Sequence, residues 1–106
     1  MLTRKLMFAT VFVLMLAAGA VQAGGDVARG QELAADCADC HGADGKGDAD
    51  SPSLLGHEEA YFVEQMQAFK SGARKDEDDT MLMYAEDLSE QDMADLAAYY
   101  ASLPVE

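Results

Sequence analysis

Cys37-Ala38-Asp39-Cys40-His41 gathers both cysteines and one of the two histidines of the chain into five residues. C-x-x-C-H is the attachment signature of a c-type haem. Each thiol adds across one vinyl group of the porphyrin, and the imidazole beside the second thioether reaches the iron from one face. A chain that carries such a plate covalently has to fold around it. Other uses of the two thiols fit less well. A thioredoxin-like C-x-x-C needs a βαβ context, and no alternation of strands and helices is present. A structural zinc site needs four ligands, and Cys37, Cys40, His41 and His57 lack the second paired motif. A disulfide across two residues leaves His41 without a role.

The amino terminus has the layout of a secretory signal. Arg4 and Lys5 form a basic region, Leu6 to Ala18 an apolar stretch, and Val21-Gln22-Ala23 a small-residue cleavage site. An uncleaved anchor is the competing reading, since the apolar run is nearly long enough to span a bilayer. No basic stop-transfer cluster follows it. Residues 1–23 are therefore expected to be a cleaved signal peptide and residues 24–106 a single small domain. Covalent haem attachment requires export and reduced thiols, so the expected compartment is the periplasm. Cleavage removes Arg4 and Lys5 and no acid, which takes the formal charge from −13 to −15. A domain this short encloses little apolar surface by itself, and a porphyrin would supply a large apolar plate for its helices. The acidity argues against nucleic acid as a partner and against anionic lipid headgroups. It suits either solubility or encounter with a basic protein surface.

The rest of the chain reads as helices joined by glycine-rich loops. Asp26 is an N-cap for a first helix running to about Asp36, with Val27, Gly30, Leu33 and Ala34 on one face. Gly30 inside that helix costs stability relative to alanine and points to close approach of another helix. Gly42 to Asp48 is a loop. Asp44, Asp48 and Asp50 look superficially like a calcium loop, but the EF-hand spacing and terminal glutamate are missing. Phe62, Met66 and Phe69 mark a second helix from Glu58 to about Ser71, stopped by Gly72. Ala73 to Asp87, with Asp76-Glu77-Asp78-Asp79, reads as a solvated loop. Ser89 with Asp92 resembles a capping box and opens a last helix. Met93, Leu96, Ala97 and Tyr100 share one face of it, and Leu103-Pro104 closes it.

His41 fills one axial position on iron, and methionine or histidine is the usual second ligand of an electron carrier. Met66 and Met93 fall on apolar helical faces, where packing accounts for them. Met81 and Met83 lie in the expected loop without a packing role, and periodicity does not choose between them. His57 reads as a surface histidine.

Residues 24–106 resemble a class I cytochrome c, especially the small bacterial monohaem forms and the haem subunits of flavocytochrome c sulfide dehydrogenases. The resemblance rests on Cys37-Ala38-Asp39-Cys40-His41-Gly42 with Asp44-Gly45, on Ser51-Pro52-Ser53-Leu54-Leu55-Gly56 and on Phe69-Lys70-Ser71-Gly72-Ala73-Arg74. It continues through Thr80-Met81 and through Leu88-Ser89 into Asp95-Leu96-Ala97-Ala98-Tyr99-Tyr100. It implies an all-α fold of three to four helices packed around one haem, held covalently through Cys37 and Cys40. It also implies Met81 rather than Met83 as the second axial ligand, because Ala85 and Leu88 stand at the family's offsets from Met81. Pro52 would accept the Nδ1–H of His41, orienting the ring and strengthening its donation to iron. Gly30 would mark the crossing of the first and last helices.

The implied function is one-electron transfer in the periplasm without substrate chemistry, between redox partner proteins that carry a basic docking surface. The alternative is that the same domain is the haem electron-transfer subunit of a periplasmic dehydrogenase complex. A gas-binding or catalytic haem protein is a further alternative, but no distal histidine or arginine stands at a recognisable spacing. The helix-bundle cytochromes c′ differ in carrying their haem motif near the carboxyl terminus.

Overall fold

The Asp26 carboxylate accepts a hydrogen bond from the Arg29 amide at 3.1 Å and starts α1 (Val27–Leu33). A computed structural model describes residues 24–105 of the protein, so the expected signal segment lies outside the described residues. At Ala34 the chain breaks step and at once begins α2 (Ala35–His41). A long loop leads to α3 (Glu59–Ser71), which ends at Gly72. A 3₁₀ turn (Glu77–Asp79) introduces α4 (Thr80–Ala85), and α5 (Glu90–Ala101) follows. The Ser89 hydroxyl accepts from the Asp92 amide while the Asp92 carboxylate accepts from the Ser89 amide, which is a complete capping box at the start of α5.

The architecture is all-α, and no strand occurs among the described residues. Three details differ from the sequence expectation. The helix expected to stop near Asp36 runs on, after the break at Ala34, through the whole C-x-x-C-H motif. The segment expected to be a solvated loop, Ala73 to Asp87, contains α4. Among the described residues, five α-helices therefore form where three or four were expected. Val27, expected on the packed face of α1, is exposed.

The core consists of Phe62, Met66 and Phe69 from α3, Ala85 from α4, and Met93, Leu96, Ala97 and Tyr100 from α5, joined by Ala34 and Leu55. Helix α5 is its centre, packing against both α1 and α3. Gly30 permits the first of these contacts. A Cβ built there would lie 2.0 Å from the Asp95 carbonyl oxygen and 2.8 Å from Tyr99 Cβ, so the backbones of α1 and α5 touch where they cross.

A polar clasp closes the same crossing. Asp95 is 1% exposed, yet its carboxylate is fully engaged. It accepts from the Asp26 amide at 2.7 Å, Arg29 Nη1 at 2.9 Å and Gln91 Nε2 at 2.9 Å. Arg29 also reaches Asp92 at 2.7 Å. Burial pushes the Asp95 carboxyl up, but the amide of Asp26, then Gln91 and Arg29, more than offset it and leave it below the ordinary carboxylate value of 3.8. Its charged form is thus favoured by folding. That contribution is present above pH 3.8 and is lost as pH falls through the depressed folded value. Asp95→Asn is expected to lower stability near neutral pH by about 1–3 kcal/mol, the cost of stranding buried partners. The gap between variant and parent should close as acid unfolding is followed below pH 4. A gap independent of pH would show that the carboxylate charge is not what the clasp uses.

Candidate functional site

Helix α2 explains the geometry of the motif. Cys37, Cys40 and His41 stand at i, i+3 and i+4 and share one helical face. Both cysteines are free thiols, Cys37 half-buried and Cys40 exposed, and His41 is buried. All three line one cavity of about 430 Å³, within the size range of cofactor sites. Its remaining walls are largely apolar, with Leu54, Phe62, Met66, Phe69, Leu88 and Leu96 among them.

The loop after α2 fixes the histidine. It doubles back through bonds from the Gly45 amide to the Gly42 carbonyl at 3.0 Å and from the Gly47 amide to the His41 carbonyl at 2.8 Å. Asp48 caps the next turn, its carboxylate accepting from the amides of Asp50 and Ser51 at 2.8 and 2.9 Å. Gly47 has φ +70°, and a Cβ there would sit 2.3 Å from the Ser51 carbonyl oxygen, so no side chain fits at this point. The outcome is that the Pro52 carbonyl oxygen lies 2.7 Å from His41 Nδ1. A carbonyl only accepts, so Nδ1 carries a proton, and in the neutral ring Nε2 then keeps the lone pair that could bind a metal.

The methionines separate clearly. Met81, half-buried on α4, lines the cavity together with Cys37, Cys40 and His41. Met83 is 65% exposed and does not line it. Met66 lines the cavity from within the core, and Met93 is buried in the core away from it. The sequence reading placed Met81 and Met83 together in a loop. The helix turns them to different sides, since two residues advance about 200° around an α-helix. His57 is exposed at the cavity rim, its ring 5.1 Å from that of Tyr61.

One lining residue escaped the sequence reading. Among the described residues, Arg74 is the only lysine or arginine on the cavity wall. Its guanidinium stands 4.5 Å from the centre of the Phe69 ring and donates to Gln65 Oε1 at 2.8 Å. The motif Phe69 to Arg74 carried this residue, but nothing in the spacing linked a cation so far along the chain to the thiols. The donor set suits a flat apolar macrocycle bearing carboxylates and a central iron. Two thiols are free to form thioethers, one imidazole nitrogen is free beside them, a thioether sulfur shares the cavity, and one cation stands ready for an anionic substituent.

Comparison with known proteins agrees with this geometry. The family model described as "Cytochrome c" matches residues 27–104. A cytochrome c4 of Pseudomonas aeruginosa is 44% identical over 99 residues, covering 92% of this chain and 48% of that protein. Cytochrome c-554(548) of Halomonas halodenitrificans is 39% identical over 80 residues, covering 74% of this chain and 96% of that one. Among solved structures, thiosulfate dehydrogenase (TsdBA) from Marichromatium purpuratum superposes with a TM-score of 0.67 at 36% identity, over 74% of this chain and 19% of that one. The chain spans about half the length of the cytochrome c4 relatives it matches.

Proposed function

Given that the chain belongs to the cytochrome c family, we propose that it is a periplasmic one-electron carrier. Its haem is bonded through Cys37 and Cys40 and ligated by His41 and Met81. The observation that carries this reading is the convergence of these four side chains on one apolar cavity, with His41 already oriented by Pro52.

The bound haem iron supplies the Fe(III)/Fe(II) couple. The protein holds that couple in one coordination environment. Pro52 keeps the His41 ring in a fixed orientation and keeps its proton on Nδ1. Met81 offers a soft sulfur that favours the reduced state and raises the potential. The acidic surface acts the other way, although salt screens its distant charges. Arg74 would pair with a propionate carboxylate at the cavity wall. Leu54, Phe62, Met66, Phe69 and Leu96 exclude water from the interior. Cys40 is exposed and marks the side of the cavity where a redox partner would approach. Nothing in this assignment requires a substrate pocket, and the chain performs no substrate chemistry of its own. Its redox partners are proteins, and the negative charge favours those with a basic docking surface.

The likeness to a thiosulfate dehydrogenase structure supports a second reading, in which the same domain is the electron-transfer subunit of a periplasmic dehydrogenase. A dehydrogenase subunit that stays bound through gentle purification would favour it. Recovery of a lone, reducible chain would count against it.

Expression with a cytochrome c maturation system, followed by oxidised and reduced optical spectra, tests the primary reading. The expected result is a low-spin c-type spectrum with the weak far-red band of Fe(III)–thioether ligation. A high-spin spectrum, or covalent haem without that band, removes Met81 as the resting ligand and moves the protein toward gas binding or catalysis.

A further inference from the structure

Pro52 supplies the acceptor for His41, yet it has little of its own to hold that carbonyl in place. It has no N–H to bond, and its ring fixes φ. The direction of its carbonyl therefore follows from the Ser51 peptide and one remaining torsion. Both backbone polar groups of Ser51 are taken by Asp48. The Ser51 amide donates to Asp48 Oδ1 at 2.9 Å, and the Ser51 carbonyl accepts from the Asp48 amide at 2.7 Å. The same Oδ1 also accepts from the Asp50 amide at 2.8 Å. One residue thus closes the turn that leads into Pro52.

The opposite side of that carbonyl is already filled. A Cβ at Gly47 would lie 2.6 Å from both the carbonyl carbon and the carbonyl oxygen of Pro52, so Pro52 rests against the Gly47 backbone. The Gly47 amide is tied to the His41 carbonyl at 2.8 Å, and beyond Pro52 the Leu54 amide donates to the Gly45 carbonyl at 2.8 Å. Those bonds anchor the two ends of the loop, and Asp48 holds the stretch between them. Asp48 is exposed and forms no ion pair among the described residues. Neither packing nor charge pairing accounts for it; its hydrogen bonds do.

From this chain of contacts, and resting on the His41 ligation proposed above, we infer that Asp48 is a positioning residue for the axial histidine, its carboxylate holding Ser51 and thereby the Pro52 carbonyl against His41 Nδ1. The 2.7 Å bond that results draws the Nδ1 proton outward and makes the ring a more electron-rich donor to iron. Such a donor favours Fe(III), so a loop that lets the carbonyl drift raises the reduction potential. Asp44 is the natural comparison. It carries the same charge in the same loop, but its carboxylate engages the Lys46 amide at 3.0 Å instead.

The test follows exchange of the His41 Nδ1 proton with solvent in the reduced holoprotein, by NMR with nitrogen-15-labelled histidine, alongside the potential from spectroelectrochemistry. Asp48→Ala is expected to speed that exchange about tenfold, the net worth of one hydrogen bond. It should also raise the equilibrium constant for reduction by about two- to fivefold, part of the same worth. Asp48→Asn keeps an acceptor oxygen without the charge and should retain the parent exchange rate. Asp44→Ala removes equal charge from the loop and should leave exchange unchanged, with a smaller shift in potential than Asp48→Ala. Exchange in Asp48→Ala within about twofold of the parent, equal acceleration in Asp44→Ala, or an Asp48→Asn rate as fast as that of Asp48→Ala overturns the inference. If Asp48→Ala fails to mature, Asp48→Ser replaces it, since a hydroxyl holds such a turn more weakly than a carboxamide. Exchange should then be faster in Asp48→Ser than in Asp48→Asn, and equal rates overturn the inference. In each of these outcomes the low-spin haem spectrum stays intact. A parent without low-spin haem overturns the proposed function, and this inference falls with it.

Discussion

Met81→Ala is expected to keep haem covalently attached while opening the sixth coordination position, abolishing the far-red thioether band and lowering the potential. The drop should be on the order of 0.1 V, a modest share of the range of about 0.8 V over which axial ligands set haem potentials. Reduced Met81→Ala should also bind carbon monoxide rapidly, which the parent should not. Met83→Ala is the internal control. Both residues lie on α4, and both carry a thioether of the same softness, so composition does not distinguish them. Their placement does: Met81 lines the cavity, whereas Met83 is 65% exposed outside it. Met83→Ala should therefore leave the spectrum, the potential and ligand binding unchanged. If Met83→Ala loses the band and Met81→Ala keeps it, the ligand assignment is wrong.

The helix carrying Met81 is also where reading the sequence fell short, for a physical reason. Thr80–Ala85 is six residues long, too short to display a helical period and far too short to be stable alone. It follows Asp76-Glu77-Asp78-Asp79, whose composition signals solvent exposure, and Asp78 and Asp79 adopt left-handed φ of 66° and 54°. What holds α4 is tertiary: it packs on α3 and buries Ala85 completely. Such support is invisible along the chain. The division at Ala34 is similar. The helical character of Ala35–His41 was hidden by a motif whose spacing was read for its bonds to haem rather than as an i, i+3, i+4 face.

Other parts were legible because their cause is local. The Ser89–Asp92 capping box and the Met93, Leu96, Ala97 and Tyr100 stripe specify α5 within a dozen residues. The family-matched Pro52 lies 2.7 Å from His41 Nδ1 because the glycine-rich loop after α2 doubles back on itself between them. Arg74 was not legible as part of the site. Its role depends on α3 turning back over the cavity, and it comes into view only when the Phe69 ring beneath it and the thiols across the cavity are seen together.

Gly30→Ala offers the sharpest test of the fold, since two effects oppose each other and their sizes differ. In an exposed helix interior the change would stabilise by roughly 1 kcal/mol through helix propensity. Here the added Cβ would stand 2.0 Å from the Asp95 carbonyl oxygen and 2.6 Å from its carbonyl carbon. Those are backbone atoms in the centre of α5, and they have no rotamer by which to move aside. Either α1 must lift from α5 or α5 must bend. Overpacking of this kind costs about 1–3 kcal/mol and occasionally more. The same displacement would stretch the Asp26 and Arg29 bonds to Asp95, adding stranded buried groups to the steric cost. A net loss of about 2–4 kcal/mol is expected, corresponding to a fall in Tm of roughly 10–20 °C for a domain this size. Covalent haem should survive the substitution, because Cys37 and Cys40 belong to α2 and their bonds do not depend on the α1–α5 distance. Thermal unfolding followed at the haem absorbance would therefore report loosened packing around an intact attachment. An unchanged or raised Tm would mean that the two backbones do not meet at Gly30, and the position of α1 over α5 would have to be redrawn.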